Sequence, residues 1–514
     1  MGPKMKKVLH HILILIIFSF CFLSNARADV TTQHVWNKLR FFITAAGFEL
    51  TATEIQKNNE LKIKDLIFSK SITPKNYDQD VQISLLFSSL LFRQNDSGTV
   101  TILLPKQVQI KVQSKSPATQ NLNLAISYNQ NKTAIQVSGT PKELFYKYKA
   151  KIGRLELEGL TVNGINFSQF DLFAHVDLEE ISIDSSTTKS TTYNFINALN
   201  FDKVSYSTGM NTANSTLNLT GEISNFLIAN NLRIPFSKNV ENSADFLAAG
   251  TSLDTSWQYD SRILSFVSKE VDKDGSYKRE STRGSGSLKL NHKTIKLFFE
   301  SMGTDLLLSH DDLPFSVEIQ LKTIATKILL PLFSDSNVDP FSLKFELTDV
   351  VMSEILWALF DENGVLPRTP ISLLLNLNGK TKFSFSDLKS AIWATQTASK
   401  QFPVGVEELT LQEFHLSGAD AAVSSSGNFE FDNSDFHTFE GLPRPTGQLE
   451  VKAQGIDTLL DRLNQIGLIP QAQALGIQMM LPLFTTSGSV DDELKMLLEV
   501  TKSGQILTNG QRIR

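Results

Sequence analysis

The chain of 514 residues is 41% hydrophobic and 20% charged, enough for a large core or two to three domains and unlike the composition of a disordered chain. Acidic residues outnumber basic ones by 54 to 49, which argues against nucleic acid as a partner. A single cysteine, Cys21, excludes an intrachain disulfide framework and a cysteine-built zinc or iron-sulfur centre.

Residues 1–28 have the form of a secretory signal peptide. Lys4, Lys6 and Lys7 precede the apolar run Ile12 to Leu23, and Ala26-Arg27-Ala28 forms a small-residue cleavage site, with cleavage expected after Ala28. Read instead as an anchor, the run from Val8 contains two histidines and falls short of the ~20 residues that span a bilayer, so no stable transmembrane anchor is expected after cleavage. Cys21, between Phe20 and Phe22, lacks the small residues that precede a lipidated cysteine. The signal holds four basic and no acidic residues, so the mature chain keeps 45 basic against 54 acidic residues, a formal charge of −9, and no cysteine. A periplasmic, soluble protein is the expectation. Thirty-five phenylalanines against 8 tyrosines and 4 tryptophans favour apolar interior surface over sugar- or base-stacking platforms.

The first mature element is a helix over Asp29 to Gly47, with Thr31 or Thr32 as cap and Val35, Trp36, Leu39, Phe42 and Ile43 at helical spacing. From Phe48 the apolar period becomes two, as in Leu61/Ile63, Val108/Ile110/Val112, Leu217/Leu219 and Val317/Ile319/Leu321, the pattern of a sheet with one buried and one wetted face. Asn95-Asp96-Ser97-Gly98, Asn129-Gln130-Asn131-Lys132 and Asp272-Lys273-Asp274-Gly275 read as hairpin turns. A loose Leu-x-Leu-x-Gly echo ends at Gly159, Gly221 and Gly379, and more distantly at Gly418, where glycine allows a bulge or bend. The pattern softens from Asn230 to Gly250, with a short helix over Ser243 to Ala249. This sets the boundary between an N-terminal β-rich region, 29–240, and a C-terminal β-rich region with short helices, 241–514.

In the second region, Phe345 to Gly379 reads as strand, short amphipathic helix, turn and strand. Ser353 is the helix cap, Ile355, Leu356, Trp357, Leu359 and Phe360 form a face expected to be buried against a sheet, and Asp361 to Gly364 terminate it. Leu409 to Leu416, Ala419 to Val423 and Gly427 to Phe431 read as three strands, followed by the corner Gly441 to Gly447 and a strand Leu449 to Ala453. Helices over Ile456 to Ile466 and Gln471 to Phe484 come next, then a hairpin from Leu494 to Val500 and Gln505 to Ile513 with an Asn509-Gly510 turn. Leu475, Met479, Met480 and Leu483 face one way on the second helix, and the stretch Met479 to Phe484 reads as ordinary core, with a soft docking face as the alternative. Ile328 to Phe333 repeats the Leu-Pro-Leu-Phe of 481–484, a hint of two similar halves. The predicted fold class is mainly β, a β-rich α+β chain of extended antiparallel meander sheets with a few short packed helices.

The sequence resembles the alphaproteobacterial exported family known as a domain of unknown function, number twenty-one twenty-five in that series. The likeness is carried by Asp29-Val30 with Val35-Trp36, Ile355-Leu356-Trp357 with Phe360-Asp361 and Leu366-Pro367-Arg368, Phe429 to Asp432, Phe439 to Gly447, Leu459-Leu460 with Gly467 to Pro470, and Asn509 to Arg512; it is tightest after Phe341. The resemblance implies an envelope location and a β-rich fold, and carries over no catalytic or binding residue. The closing hairpin has a fainter similarity to the tails of AsmA-like envelope proteins, whose long curved sheets form apolar grooves.

The six mature histidines show no pair at metal-ligand spacing. His310-Asp311-Asp312 reads as a solvated turn, with a metal site as the alternative; Ser386-x-x-Lys389 as a helix cap rather than an acyl-transfer pair; Gly379-Lys380-Thr381 as a hairpin turn rather than a phosphate loop. Asp272 and Asp274 lack a full calcium loop. No catalytic residue, cofactor or metal is assigned. The expectation is a non-enzymatic periplasmic protein that binds an apolar or lipid envelope component or serves as a structural partner there. The competing readings are a hydrolase using His310 with Asp311 or Asp312, or Ser386 with Lys389, and a structural protein with a filled core and no ligand.

Overall fold

The computed structural model describes residues 30–45, 47–72, 80–115, 121–131, 133–189, 192–235, 247, 249–332, 338–382, 405–488 and 492–514. The expected signal peptide, 1–28, with Cys21, Ser386, Lys389, Phe333 and most of Ser243 to Ala249 lie outside them. The described residues are mainly β, 68% strand and 11% helix, with antiparallel pairing. It divides into two compact units, residues 1–240 with 255–276, and 241–254 with 277–514.

The N-terminal unit is organised by the helix Thr32–Ala45. Thr31 caps it, its Oγ1 accepting the His34 N–H at 3.2 Å. Gly47 at φ +80° closes it, with the Gly47 N–H bonded to the Thr44 carbonyl and the Phe48 N–H to that of Ile43, the paired bonds of a Schellman ending. Val35 and Trp36 are completely buried, and the Trp36 ring meets the edge of Phe92 at 5.9 Å. Around them Leu61, Ile63, Leu66, Ile135 and Val137 complete a closed core. Two sets of polar groups inside this unit are tied together. Tyr128, Tyr148 and Gln130 form a chain of 2.9 and 2.8 Å hydrogen bonds, and burial with the neighbouring Tyr148 pushes the Tyr128 phenol far up, so it stays neutral. Ser185, Asn197 and Asn230 make a buried ladder across three strands.

Several turns and strands differ from expectation. Asn95 to Gly98 is a hairpin turn, with the Gly98 N–H on the Asn95 carbonyl at 3.0 Å. The segment around Asn129 is not. The strands Leu122–Gln130 and Ala134–Gly139 do not pair with each other; both lie along the long strand Glu143–Val162, one after the other. Gly379-Lys380-Thr381 is strand, not turn, paired with Phe341, Pro340 and Asp339. Ala421–Asp432 is one strand where two were expected, because Ser424 to Ser426 continue the pairing with Lys452, Val451 and Glu450. Of the echoed glycines, only Gly159 adjoins a bulge, at Glu158. Gly221 and Gly379 instead make room for a ring on the facing strand: a Cβ there would lie 2.2 Å from Tyr206 or 2.5 Å from Phe341.

The C-terminal unit carries long paired strands with little inside. Among the described residues thirty hydrophobic side chains are buried in the N-terminal unit against eight in this one, so the two are built differently. The strands Thr294–His310, Val317–Pro331, Asp339–Met352 and Ile371–Thr381 form a meander with a shared crease. Gly303 and Asp349 adopt φ +52° and +50°, and Thr348-Asp349 stand opposite the single residue Ser372 as a bulge. The Asp349 N–H donates to Ser372 Oγ at 3.0 Å, and Lys322 pairs with its carboxylate at 2.9 Å. Apolar positions change parity together across the crease, so Leu321 still faces Val350 and Ile324 still faces Leu347.

The Leu-Pro-Leu-Phe echo is one of sequence and not of conformation. Leu330-Pro331 ends a strand, whereas Leu481 to Phe484 end the helix Gln471–Phe484. That helix and its partner Ile456–Gln465 stand where the sequence put them, separated by Gly467 at φ +76° and Pro470. Asn509 and Gly510, at φ +49° and +80°, form the expected turn, with the positive φ pair of type I′.

Candidate functional site

The feature of the C-terminal unit that invites a function is one face of its sheet. Seven strands, Val317–Pro331, Asp339–Met352, Ile371–Thr381, Val406–Gly418, Ala421–Asp432, Arg444–Gln454 and Glu493–Val500, pair in sequence. Residues opposite one another in antiparallel strands share a face, so the register lays out three rows that cross all seven. The first runs Ile324, Leu347, Leu373, Leu416, Val423, Ala453, Leu494. The second runs Thr326, Phe345, Leu375, Phe414, Ser425, Val451, Met496, and the third Ile328, Leu343, Leu377, Leu411, Gly427, Leu449, Leu498. None of these positions is charged and none is fully buried; all are half-buried except Leu416, which is 42% exposed. An ordinary one-sided sheet covers such a face with a second layer. Among the described residues no second layer covers this one.

The opposite face is wet and charged. Lys344 pairs with Glu346 at 3.0 Å, Lys380 with Glu408 at 2.8 Å and Lys452 with Glu450 at 3.1 Å. The hollow there, lined by Phe298, Glu300, Lys327, Lys344 and Glu346 among others, holds about 40 Å³, room for little more than a water. It is too small for a substrate.

The strand ends are held by two ion clusters that sequence reasoning missed. At one end lies the loop after the helix Glu354–Ala358. Asp361, expected only to break that helix, is buried, and its carboxylate accepts the N–H groups of Val365 and Leu366 at 2.8 Å each and Arg368 at 2.5 Å. Burial pushes this carboxyl up, but Arg368 and the two backbone donors outweigh it and hold it below the usual carboxylate range. Arg368 also stacks on Trp357, 4.6 Å from the ring centroid. Trp357 is the one residue of the short helix that is buried; Ile355 and Leu359 are 50% and 63% exposed, so the helix does not bury the wide face expected of it. Five residues present too little length to cover a sheet, and the ring alone turns inward. Nor does the Ser353 side chain cap it; its hydroxyl makes no hydrogen bond and only the backbone carbonyl accepts. The pairing signal was present in the sequence as an acid and an arginine seven residues apart around Gly364 and Pro367.

At the other end Arg444 bridges Asp432 at 2.6 Å and Asp435 at 3.1 Å. The Ser434 hydroxyl and N–H hold Asp432 low, and the Thr438 hydroxyl and N–H do the same for Asp435, against the opposing pull of burial and with Arg444 assisting. These carboxylates are saturated by structural donors. They fix strand ends.

Among the remaining sequence candidates, the structure brings His310 and the Asp312 carboxylate within 3.5 Å of each other. His310 lies at a strand end, its Nδ1 accepting the Asp312 N–H at 3.1 Å within an exposed turn. Asp272 and Lys273 lie in a turn, the Glu270 N–H bonding the Lys273 carbonyl at 2.9 Å. Among the described residues no group of three or more His, Cys, Asp and Glu side chains is placed to hold a metal ion. No described helix is long and apolar enough to cross a membrane. The helix Gln471–Phe484 corrects the sequence reading most sharply: Met479, Met480 and Leu483 are not core but 76%, 55% and 70% exposed, and Leu475 on the same side is 50% exposed.

No curated protein matches the chain. Residues 337–502, which take in six of the seven strands of the apolar face together with both ion clusters, match the model of DUF2125, described as an uncharacterized protein conserved in bacteria, the family the sequence resembles.

Proposed function

We propose that this is an exported, non-enzymatic protein of the bacterial envelope that holds the acyl chain of a lipid along the apolar face of its C-terminal sheet. Export rests on the signal pattern of residues 1–28. The observation that carries the binding reading is the three-row face itself, uncharged across seven strands and without cover among the described residues. Six inter-strand steps of about 4.8 Å make it roughly 29 Å long, a length suited to an extended long acyl chain. Half-buried aliphatic and phenylalanine side chains lose further contact with water when such a chain lies over them, at about 25 cal/mol for each Å² covered. Exposed apolar surface of this extent on a folded protein marks a place where something binds.

The test is native mass spectrometry of the protein recovered from its own cells, followed by organic extraction. A reproducible lipid in near-stoichiometric amount is the expected result. The double substitution Phe345→Glu with Leu375→Glu, neighbours in the second row, should fold and come out empty. A wild-type mass equal to that of the bare chain would overturn the proposal.

A further inference from the structure

We infer that the helical pair Ile456–Gln465 and Gln471–Phe484 is a membrane-docking element whose second helix lies in the surface of a lipid bilayer. The inference concerns a surface distinct from the sheet face and holds whether or not that face carries a lipid. At 100° per residue, Leu475, Met479 and Leu483 follow one another along the helix at intervals of four, with Ala472, Gly476 and Met480 beside them. The opposite side is the one tied down: Ala474 is buried, and the Gln478 amide reaches Asp461 of the first helix at 2.9 Å. The side that faces outward is therefore apolar, the reverse of a helix resting on its own protein in water.

Charge and area decide what covers it. No Asp, Glu, Lys or Arg occurs from Leu463 to Val490, a run of 28 residues. A protein partner is met by an apolar centre with a polar, charged rim, and the helix Gln471–Phe484 has no charged residue of its own, its polar side chains being Gln471, Gln473 and Gln478. One side of a 14-residue helix is about 21 Å by 10 Å, a footprint on the order of 210 Å², far below the roughly 800 Å² per partner of a stable interface. A second copy of the chain or a folded partner is thus poorly served. A bilayer demands neither a matching rim nor a matching shape, and flexible methionines suit a fluid surface. At about 21 Å the helix is too short to span a hydrocarbon core of roughly 30 Å, so it lies in the plane with its apolar side sunk into the acyl boundary. Since the second helix has no cation to contact anionic headgroups, its binding is carried by apolar burial alone.

The experiment is co-sedimentation of the protein, recovered from the cells that make it, with vesicles of pure phosphatidylcholine. Wild type is expected to pellet with them, equally well in low and high salt, and the double variant Met479→Asp with Leu483→Asp to bind at least tenfold more weakly at an unchanged unfolding midpoint. If the aspartates disturb the fold, Leu475→Gln with Met480→Gln should give the same loss. Equal pelleting of wild type and variants would overturn the inference, as would binding that needs anionic lipid and vanishes in salt. So would a wild type that is a dimer by light scattering without vesicles and becomes monomeric in the aspartate variant. The sheet variant Phe345→Glu with Leu375→Glu should keep its vesicle binding, which separates a failure here from a failure of the acyl-chain reading.

Discussion

The two units use the same alternating strands to opposite ends. In the N-terminal unit, the helix Thr32–Ala45 inserts Val35 and Trp36 among Leu61, Ile63 and Phe92, and the apolar face of the strands vanishes into a core. In the C-terminal unit, the helices stand at the strand ends, and three rows of apolar side chains are left half-buried. Period-two sequence therefore specifies a one-sided sheet, and what lies over that side is decided elsewhere in the chain. A closed face stores stability; an open one is free to meet another molecule.

The largest effect should come from removing the plug. Trp36 is completely buried and touches Phe92 edge to face, so Trp36→Ala is expected to destabilise the N-terminal unit by about 3–5 kcal/mol. Denaturant unfolding followed by circular dichroism would measure it. A loss under about 1 kcal/mol would mean that the helix is not the keystone of that core, and the contrast between the units would fail on its closed side.

Much of this architecture was legible. The first helix could be read from Thr31, the 3–4 spacing of Val35, Trp36, Leu39 and Ile43, and Gly47, because caps and amphipathic spacing are local. The strands could be read from alternation for the same reason. What resisted is non-local. Asn129 looks like a hairpin turn, yet whether two neighbouring strands pair with each other or with a third depends on Glu143–Val162, which lies beyond both. Asp361 looks like a helix breaker, and its burial depends on Arg368 folding back over Trp357. Met479 and Leu483 fit a core pattern perfectly well, but amphipathic spacing says only that one side of a helix is apolar, not that the protein supplies a surface to receive it.

The ion clusters separate the units a second way. Asp361, Asp432 and Asp435, whose carboxyls are all held below the usual value of 3.8, lie in the C-terminal unit. A depressed carboxyl contributes stability that is present above the unfolded value and is lost as pH falls through the folded one. The C-terminal unit should therefore keep its stability from neutral pH down to about 5 and lose it progressively below 3.8. Asp361→Asn leaves Arg368 without its buried partner, so it should lower the unfolding midpoint by about 5 °C or more at pH 7 and flatten the acid limb. Thermal melts between pH 7 and 3 would check both. A variant that melts with wild type at pH 7 would show that the clamp does not hold the strand ends.

The smallest expected effect is the most discriminating. Leu416 sits in the middle of the first row, between Leu373 and Val423, and is 42% exposed. If its face is open to water, Leu416→Gln exchanges one partly wetted side chain for another and should change stability by no more than about 0.5 kcal/mol. Under a second layer, the same substitution would strand an amide among apolar groups and cost roughly 2 kcal/mol or more. The comparison therefore turns on a mutation expected to do almost nothing. A near-silent Leu416→Gln in the bare protein, combined with a clear loss of bound lipid in the extracted one, would place the stability of this chain in its first unit and its binding in its second. A large loss of stability would instead mean that the face is covered, and that the two units differ in which segment closes them and not in whether they are closed.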